Sequence, residues 1–190
     1  MLKLSFVSTA LSDRPALIAS ACHIAQAAGD LINRFAELQP AVPYRVKEDL
    51  SAVTNADEAA NELITKALAN LTQEIPIVAE ESVACGDTPA IDGATFWLVD
   101  PLDGTKEFIG GRNEYTVNIA LIEKTVPVIG VIYLPAIKTL YWGGCEIGAF
   151  RQENCEDPCR LQARTIPAIG ASAVVSRSHF TSETEHWLSG

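Results

Sequence analysis

Basic side chains are scarce in this sequence: 14 lysines and arginines stand against 24 aspartates and glutamates, for a formal net charge of −10. That balance excludes a general nucleic-acid binder, which needs a basic face to displace counterions from phosphates. It leaves a small anionic substrate open, because a bound divalent cation inverts the local field. Long apolar runs are missing as well. No stretch approaches the roughly 20 residues that cross a bilayer, so no transmembrane segment is expected. The mildly apolar start from Met1 to Leu11 soon meets Asp13 and Arg14, and reads as a short lead-in rather than a signal peptide.

Sulfur and imidazole are sparse in a telling way. The cysteines are Cys22, Cys85, Cys145, Cys155 and Cys159. Their number is odd and their spacing wide, which excludes a disulfide framework. Cys155 and Cys159 form a C-x3-C pair with no second pair or nearby histidine, short of the four ligands of a closed zinc site. Reduced thiols in a cytoplasmic protein are the expected state. His23 falls within a helical pattern and reads as a partly buried helix residue, not a ligand.

What is present suits a soluble globular chain: 190 residues, 48% hydrophobic and 20% charged. That is enough for one good core, or one domain and part of another. Ser12-Asp13-Arg14-Pro15 opens a helix, and Leu17, Ile18, Ala21, Ile24, Ala25, Ala28, Leu31, Ile32 and Phe35 recur at helical spacing to about Glu37. Tyr44-Arg45-Val46 is extended, and Lys47 to Ala52 reads as a loop. Thr54 or Asn55 caps a second helix with Asp57 and Glu58 in its first turn, where the dipole favours negative charge. Ile77-Val78-Ala79 reads as a strand ending at Glu80-Glu81-Ser82, Val83 to Ala94 as a loop, and Phe96 to Val99 as the next strand. Tyr115 to Ile122, Val126 to Leu134, Leu140 to Trp142 and Gly148 to Phe150 follow as strands. This succession predicts an antiparallel sheet covered by two helices, an α+β fold. Arg151 to Pro167 reads as a boundary. Ala171 to Val175 then starts a new strand, and Thr181 to Leu188 a helix.

The chemistry concentrates in Trp97-Leu98-Val99-Asp100-Pro101-Leu102-Asp103-Gly104-Thr105. An apolar strand carries two carboxylates to its end, with a proline between them and a glycine and a hydroxyl after them. Glu80 ends a neighbouring strand. Three anionic groups gathered at one sheet edge are costly unless protons or cations neutralise them. Magnesium suits such a set, being a hard cation that takes carboxylates, backbone carbonyls and water; the Leu102 carbonyl is a further ligand candidate. Gly104 lets the backbone approach a phosphate, and a helix starting at Lys106 would present free N–H groups. Thr105 is placed to orient a water, and Asp57 to accept its proton or hold a further ion. The assembly suggests phosphoester hydrolysis by metal-activated water. Each part alone has a plainer reading: Asp57 as a helix N-terminal charge, Glu80 and Glu81 as solvated acids, D-x-x-D as a turn. The joint pattern is what carries the inference.

Val78-Ala79-Glu80-Glu81-Ser82 with Asp100-Pro101-Leu102-Asp103-Gly104-Thr105 resembles the inositol monophosphatase superfamily of magnesium-dependent, lithium-sensitive phosphatases. Lys106-Glu107-Phe108 after the D-G-T, together with Lys47-Glu48-Asp49, Val53 to Asp57, Glu114 to Leu121 and Gly130 to Tyr133, resembles its 3′(2′),5′-bisphosphate nucleotidase branch. The resemblance implies a layered α/β sandwich of the sugar-phosphatase type. Residues 1–155 would form an N-terminal metal- and phosphate-binding α+β domain, and 156–190 the start of an incomplete second α/β domain. It implies metal at Glu80, Asp100, Asp103 and the Leu102 carbonyl, and catalytic roles for Asp57, Thr105 and Glu80. Gly104, Thr105 and Lys47 would face the substrate. The expected substrate is adenosine 3′,5′-bisphosphate, a by-product of sulfate assimilation, and the products AMP and phosphate. The resemblance also allows a homodimer.

The sequence departs from the family pattern in one respect. Members normally continue well past the point matching Gly190, and there supply a further aspartate, in a Trp-Asp motif, that completes a second metal site. His186-Trp187 does not provide it. Inositol monophosphatase activity, a non-catalytic metal- or phosphate-binding fragment, and a structural protein with an acidic surface are the alternatives.

Overall fold

Along the central strands every second side chain turns inward, and that period builds the sheet against two helices. The computed structural model describes residues 13–38, 43–46, 52–91, 95–154, 156–176 and 180–189. The elements are α1 (Arg14–Leu38), β1 (Tyr44–Val46), β2 (Ala52–Thr54), α2 (Asn55–Leu71), β3 (Ile77–Ala79), α3 (Glu80–Ala84), β4 (Thr95–Asp103) and α4 (Thr105–Ile109). After these come β5 (Thr116–Glu123), β6 (Val126–Leu134), a 3₁₀ turn at Pro135–Ile137, β7 (Thr139–Gly144), β8 (Gly148–Glu153), β9 (Cys159–Leu161) and α5 (Ser182–Ser189). β1 and β2 pair as a small ribbon, and β3 to β9 form one sheet of seven strands in sequence order.

The inward set is apolar. Trp97 and Val99 of β4, Val117, Ile119 and Leu121 of β5, and Ile129, Val131 and Tyr133 of β6 are buried. Register aligns them in rows across the strands: Val99 opposite Ile119, Ile119 opposite Val131. Against this face lie Leu17, Ile18, Ala21, Ala25, Ala28 and Ile32 of α1, and Ala56, Ala60, Ile64 and Leu68 of α2. The outward set is partly apolar too, with Leu98 and Ile132 each 46% exposed.

Local chemistry fixes how the helices sit. The Asp13 carboxylate accepts from the Ala16 N–H at 3.1 Å and caps α1. A side chain at Gly29 would meet the Tyr133 ring at 2.5 Å, so glycine lets α1 settle onto β6. Asn33, one turn on, donates to the Pro135 carbonyl at 3.0 Å and accepts from the Tyr115 hydroxyl at 2.9 Å. Trp97, fully buried, donates its indole N–H to Thr72 at 2.8 Å, which ties β4 to the end of α2.

Four expectations are corrected. The sheet is mixed, not purely antiparallel: β3 runs parallel to β4, and the remaining neighbours are antiparallel. The stretch from Glu80 to Ala94 is long enough for the crossover that parallel strands require. Its first part is helical, so the strand end and loop expected there include α3. Residues 171–176 form no strand; among the described residues no strand pairs with Val174 and Val175, and unpaired strands are not stable alone. His23 is exposed on α1 rather than partly buried, because it falls on the polar side of the helical stripe. The sheet also takes in Cys159–Leu161, which pairs with β8. Cys22 is buried, and Cys85, Cys145 and Cys159 are exposed free thiols. Cys155, the Lys47–Asp49 stretch and the lead-in to Leu11 lie outside the described residues. Among the described residues, no helix is long and apolar enough to cross a membrane.

Candidate metal and phosphate site

Parallel pairing puts two acids side by side. Ala79 is the partner of Val99, so the next residues along the two strands are Glu80 and Asp100. Glu80 is the first residue beyond β3, and Asp100 stands level with it within β4, toward the carboxyl end of the parallel pair, where ligand crevices form in α/β sheets. Asp103 joins them through a bulge. Asp100 pairs with Asn118 and Asp103 with Thr116, so β4 advances three residues while β5 advances two. In a regular strand, residues three apart face opposite sides; the extra residue re-aims the chain. Pro101 fits there because it has no N–H to give the ladder.

These acids open into one cleft of about 750 Å³ that is also lined by Leu102, Gly104, Thr105 and Lys106. Glu114, Thr116 and residues 174–176 complete its wall. Glu80 and Asp103 are exposed, whereas Asp100 is half-buried. Asp100 Oδ1 is buried without a hydrogen-bond partner. Burial, then the charges of Glu80 and Asp103, push the Asp100 carboxyl up to about 7, with the Leu102 backbone N–H acting against them. The neighbouring Glu80 carboxylate works against the charged form of Asp100, and two carboxyls in that relation need a proton or a cation between them. The donor set is all oxygen and anionic, so it fits a hard divalent cation. Among the described residues, no three acid, histidine or cysteine side chains already stand as a closed ligand set. The three carboxylates share one cleft and one field.

Next to the acids the backbone turns sharply. Gly104 has φ +91°, and a side chain there would meet the Glu114 carbonyl at 2.6 Å. Glycine is required on both counts. α4 follows at once, with the Phe108 N–H returning to the Gly104 carbonyl at 2.9 Å. Phe108 stacks edge-on against Tyr115, ring centroids 5.2 Å apart, and holds this turn on the core.

Thr105 connects the cleft to α2. Its hydroxyl lies 3.0 Å from Asp57 Oδ1 and 3.0 Å from the Leu102 carbonyl. Asp57 is 1% exposed. Its Oδ2 accepts from the Thr54 N–H at 2.8 Å and from the Thr54 hydroxyl. Thr54 in turn accepts from the Ala56 and Asp57 N–H groups, which makes a reciprocal capping box. Burial raises the Asp57 pKa, and the hydrogen bonds from Thr54 and Thr105 partly offset the rise. Asp57 is thus both part of the capping box and a buried carboxylate beneath Thr105.

Every described residue expected at the site is in or beside the cleft: Glu80, Asp100, Leu102, Asp103, Gly104 and Thr105 line it, and Asp57 reaches it through Thr105. Lys47 lies outside the described residues. Thr54, Glu114 and Thr116 were not foreseen as supports of the site. The spacing T-x-x-D from Thr54 to Asp57 is the signal that points to Thr54; Glu114 opens the Glu114–Leu121 stretch that resembles the nucleotidase branch, which gives it no role of its own.

A model of the inositol monophosphatase family matches residues 13–187. The 3′(2′),5′-bisphosphate nucleotidase CysQ of Salmonella typhimurium is 40% identical over 176 residues, covering 90% of this chain and 68% of the relative. Its namesake in Escherichia coli K12 is 37% identical over 171 residues, covering 88% and 66%. Among solved structures, CysQ from Bacteroides thetaiotaomicron superposes with a TM-score of 0.61 at 31% identity, covering 98% of this chain and 69% of that one. The extragenic suppressor protein suhB from Bartonella henselae gives 0.65 at 29% identity, covering 78% and 55%. This chain therefore spans about two thirds of these curated relatives and 55–69% of these two structures. The layered α+β fold is theirs.

Proposed function

This chain belongs to the inositol monophosphatase family, and on that premise we propose that it carries the metal- and phosphate-binding part of a 3′(2′),5′-bisphosphate nucleotidase. The reaction is magnesium-dependent hydrolysis of the 3′-phosphate of adenosine 3′,5′-bisphosphate to AMP and phosphate. The identity to nucleotidases named for this substrate class supports the substrate. The observation that carries the chemistry is the juxtaposition of Glu80 and Asp100 at the carboxyl end of the β3–β4 pair, in one cleft with the Gly104–Thr105 turn.

Glu80, Asp100, Asp103 and the Leu102 carbonyl would hold magnesium, and its charge would acidify water and neutralise the phosphoryl oxygens. The remaining work falls to the chain. The Thr105 hydroxyl has one proton and two acceptors within reach, and buried Asp57 is the charged one. With that proton committed, the Thr105 oxygen is free to accept from water. As water attacks phosphorus, it passes a proton to Thr105, and Thr105 passes its own to Asp57 Oδ1. The raised Asp57 pKa favours that transfer. The bond from phosphorus to the 3′-oxygen breaks in line, and that oxygen takes a proton from solvent. The Gly104 turn brings bare backbone against the phosphate, where a side chain would collide with Glu114.

The test is phosphate release from adenosine 3′,5′-bisphosphate, with and without magnesium, beside the same assay on inositol 1-phosphate. Magnesium-dependent release favouring the nucleotide supports the proposal. Preference for the inositol phosphate, or release indifferent to magnesium, overturns it.

A further inference from the structure

Asn61 stands one turn after Asp57 on α2, so the two side chains share a helix face. Its Nδ2 donates to the Ser82 hydroxyl at 3.2 Å, across to α3. Its Oδ1 is buried without a hydrogen-bond partner. Asparagine is a poor residue for a helix interior, and an orphaned buried oxygen adds to the cost. An aliphatic side chain would avoid both. What the amide gives in return is a tie between two helices.

That tie bears on the cleft. α3 is a single turn of five residues, Glu80–Ala84, and its N-cap residue Ala79 offers no side-chain cap. A helix this short is not stable on its own, so its position depends on what it is fastened to. Ser82 is its middle residue; besides receiving Asn61, it accepts at its carbonyl from the Cys85 and Asp87 N–H groups and closes the turn. Glu80, the first residue of that turn, lines the cleft. α2 therefore fastens both walls of the site from one face. Asp57 holds Thr105, and Asn61, four residues on, holds the turn that begins with Glu80.

We propose that Asn61 is a positioning residue that, through Ser82, sets Glu80 against Asp100 for cation binding. The inference rests on the reading of Glu80 as a ligand. It assigns Asn61 no contact with metal or substrate, and its mark is on metal affinity.

Calorimetric titration of the protein with magnesium alone tests it, on the wild type, Asn61→Leu, Ser82→Ala and the double variant. Groups that orient ligands typically change metal affinity by 10–100-fold when removed. The expected result is at least about a tenfold rise in Kd for each single variant, and no further rise in the double variant, since both lose the same tie. Asn61→Leu should also melt, metal-free, within a few degrees of the wild type. If that variant fails to fold, Ser82→Ala carries the comparison, and Ser82→Thr, which keeps the hydroxyl, should restore wild-type affinity. A wild-type Kd in Asn61→Leu or Ser82→Ala overturns the proposal while leaving the site itself intact. A wild type that binds no magnesium overturns both the site and the proposal.

Discussion

Thr105 and Asp57, 48 positions apart in sequence, meet with the Thr105 hydroxyl oxygen 3.0 Å from Asp57 Oδ1. The contact joins the first residue of α4 to the first turn of α2, and sets a half-buried, cleft-lining threonine against a buried carboxylate. Thr105→Val keeps the shape and removes the hydroxyl. It should lower kcat for phosphate release by at least about a hundredfold, the usual scale for losing a positioned proton acceptor, while magnesium affinity stays near wild type. Thr105→Ser should keep most of the activity. Steady-state kinetics with a parallel metal titration check this.

Asp100→Asn removes one of three crowded negative charges. Magnesium should then no longer raise the melting temperature, and activity should be lost. The metal-free variant should melt at or above the wild-type temperature, because the mutation relieves repulsion. Thermal melts with and without magnesium test it, and a strongly destabilised metal-free variant would count against the account.

The same crowding sets a pH dependence. The Asp100 carboxyl is held near 7 in the folded protein against an ordinary value of 3.8. Between those values the folded state binds a proton that the unfolded chain does not, so stability falls as pH rises. The contribution is complete below about pH 4 and gone above about pH 7. The metal-free protein should therefore melt lower at roughly pH 8 than at roughly pH 5, and saturating magnesium should reduce that difference because the cation replaces the proton. Melting curves across this range, read with and without the ion, give the sign directly.

Gly104→Ala meets two penalties, a left-handed backbone at φ +91° and the Glu114 carbonyl 2.6 Å from the new methyl. Together they should cost at least about 2 kcal/mol. Denaturant unfolding measures the loss. Gly86→Ala is the control: it shares a positive φ but has nothing within 4 Å, so it should lose less.

Much of this was legible in the residues, and the reason differs by element. Apolar spacing located α1 and α2, since a helix that covers a sheet must bury one stripe; Thr54-Asn55 ahead of Asp57 and Glu58 marked where α2 starts without deciding between the two as cap. Alternation located β5 and β6 for the same reason, with Val117, Ile119 and Leu121 inward. The acid cluster was legible because Asp100 and Asp103 close an apolar run. What escaped was set by partners distant in sequence. Nothing local in Ile77-Val78-Ala79 says that β3 runs parallel to β4, yet that direction is what brings Glu80 beside Asp100. The bulge between Asp100 and Asp103 is likewise a property of the pairing with β5. The Glu114 carbonyl that a side chain at Gly104 would meet carries no sequence signature. The apolar run at 171–175 misled because β-propensity reports fit to a sheet, not the presence of one.

The central claim is that Glu80, Asp100 and Asp103 together grip a divalent cation beside the Gly104 turn. Soaking crystals of the protein in manganese and recording anomalous scattering locates the ion directly. The account predicts a peak in the cleft within coordination distance of Asp100 and at least one of Glu80 and Asp103, absent from Asp100→Asn. No peak there, or a peak that survives loss of the Asp100 carboxylate, would contradict it.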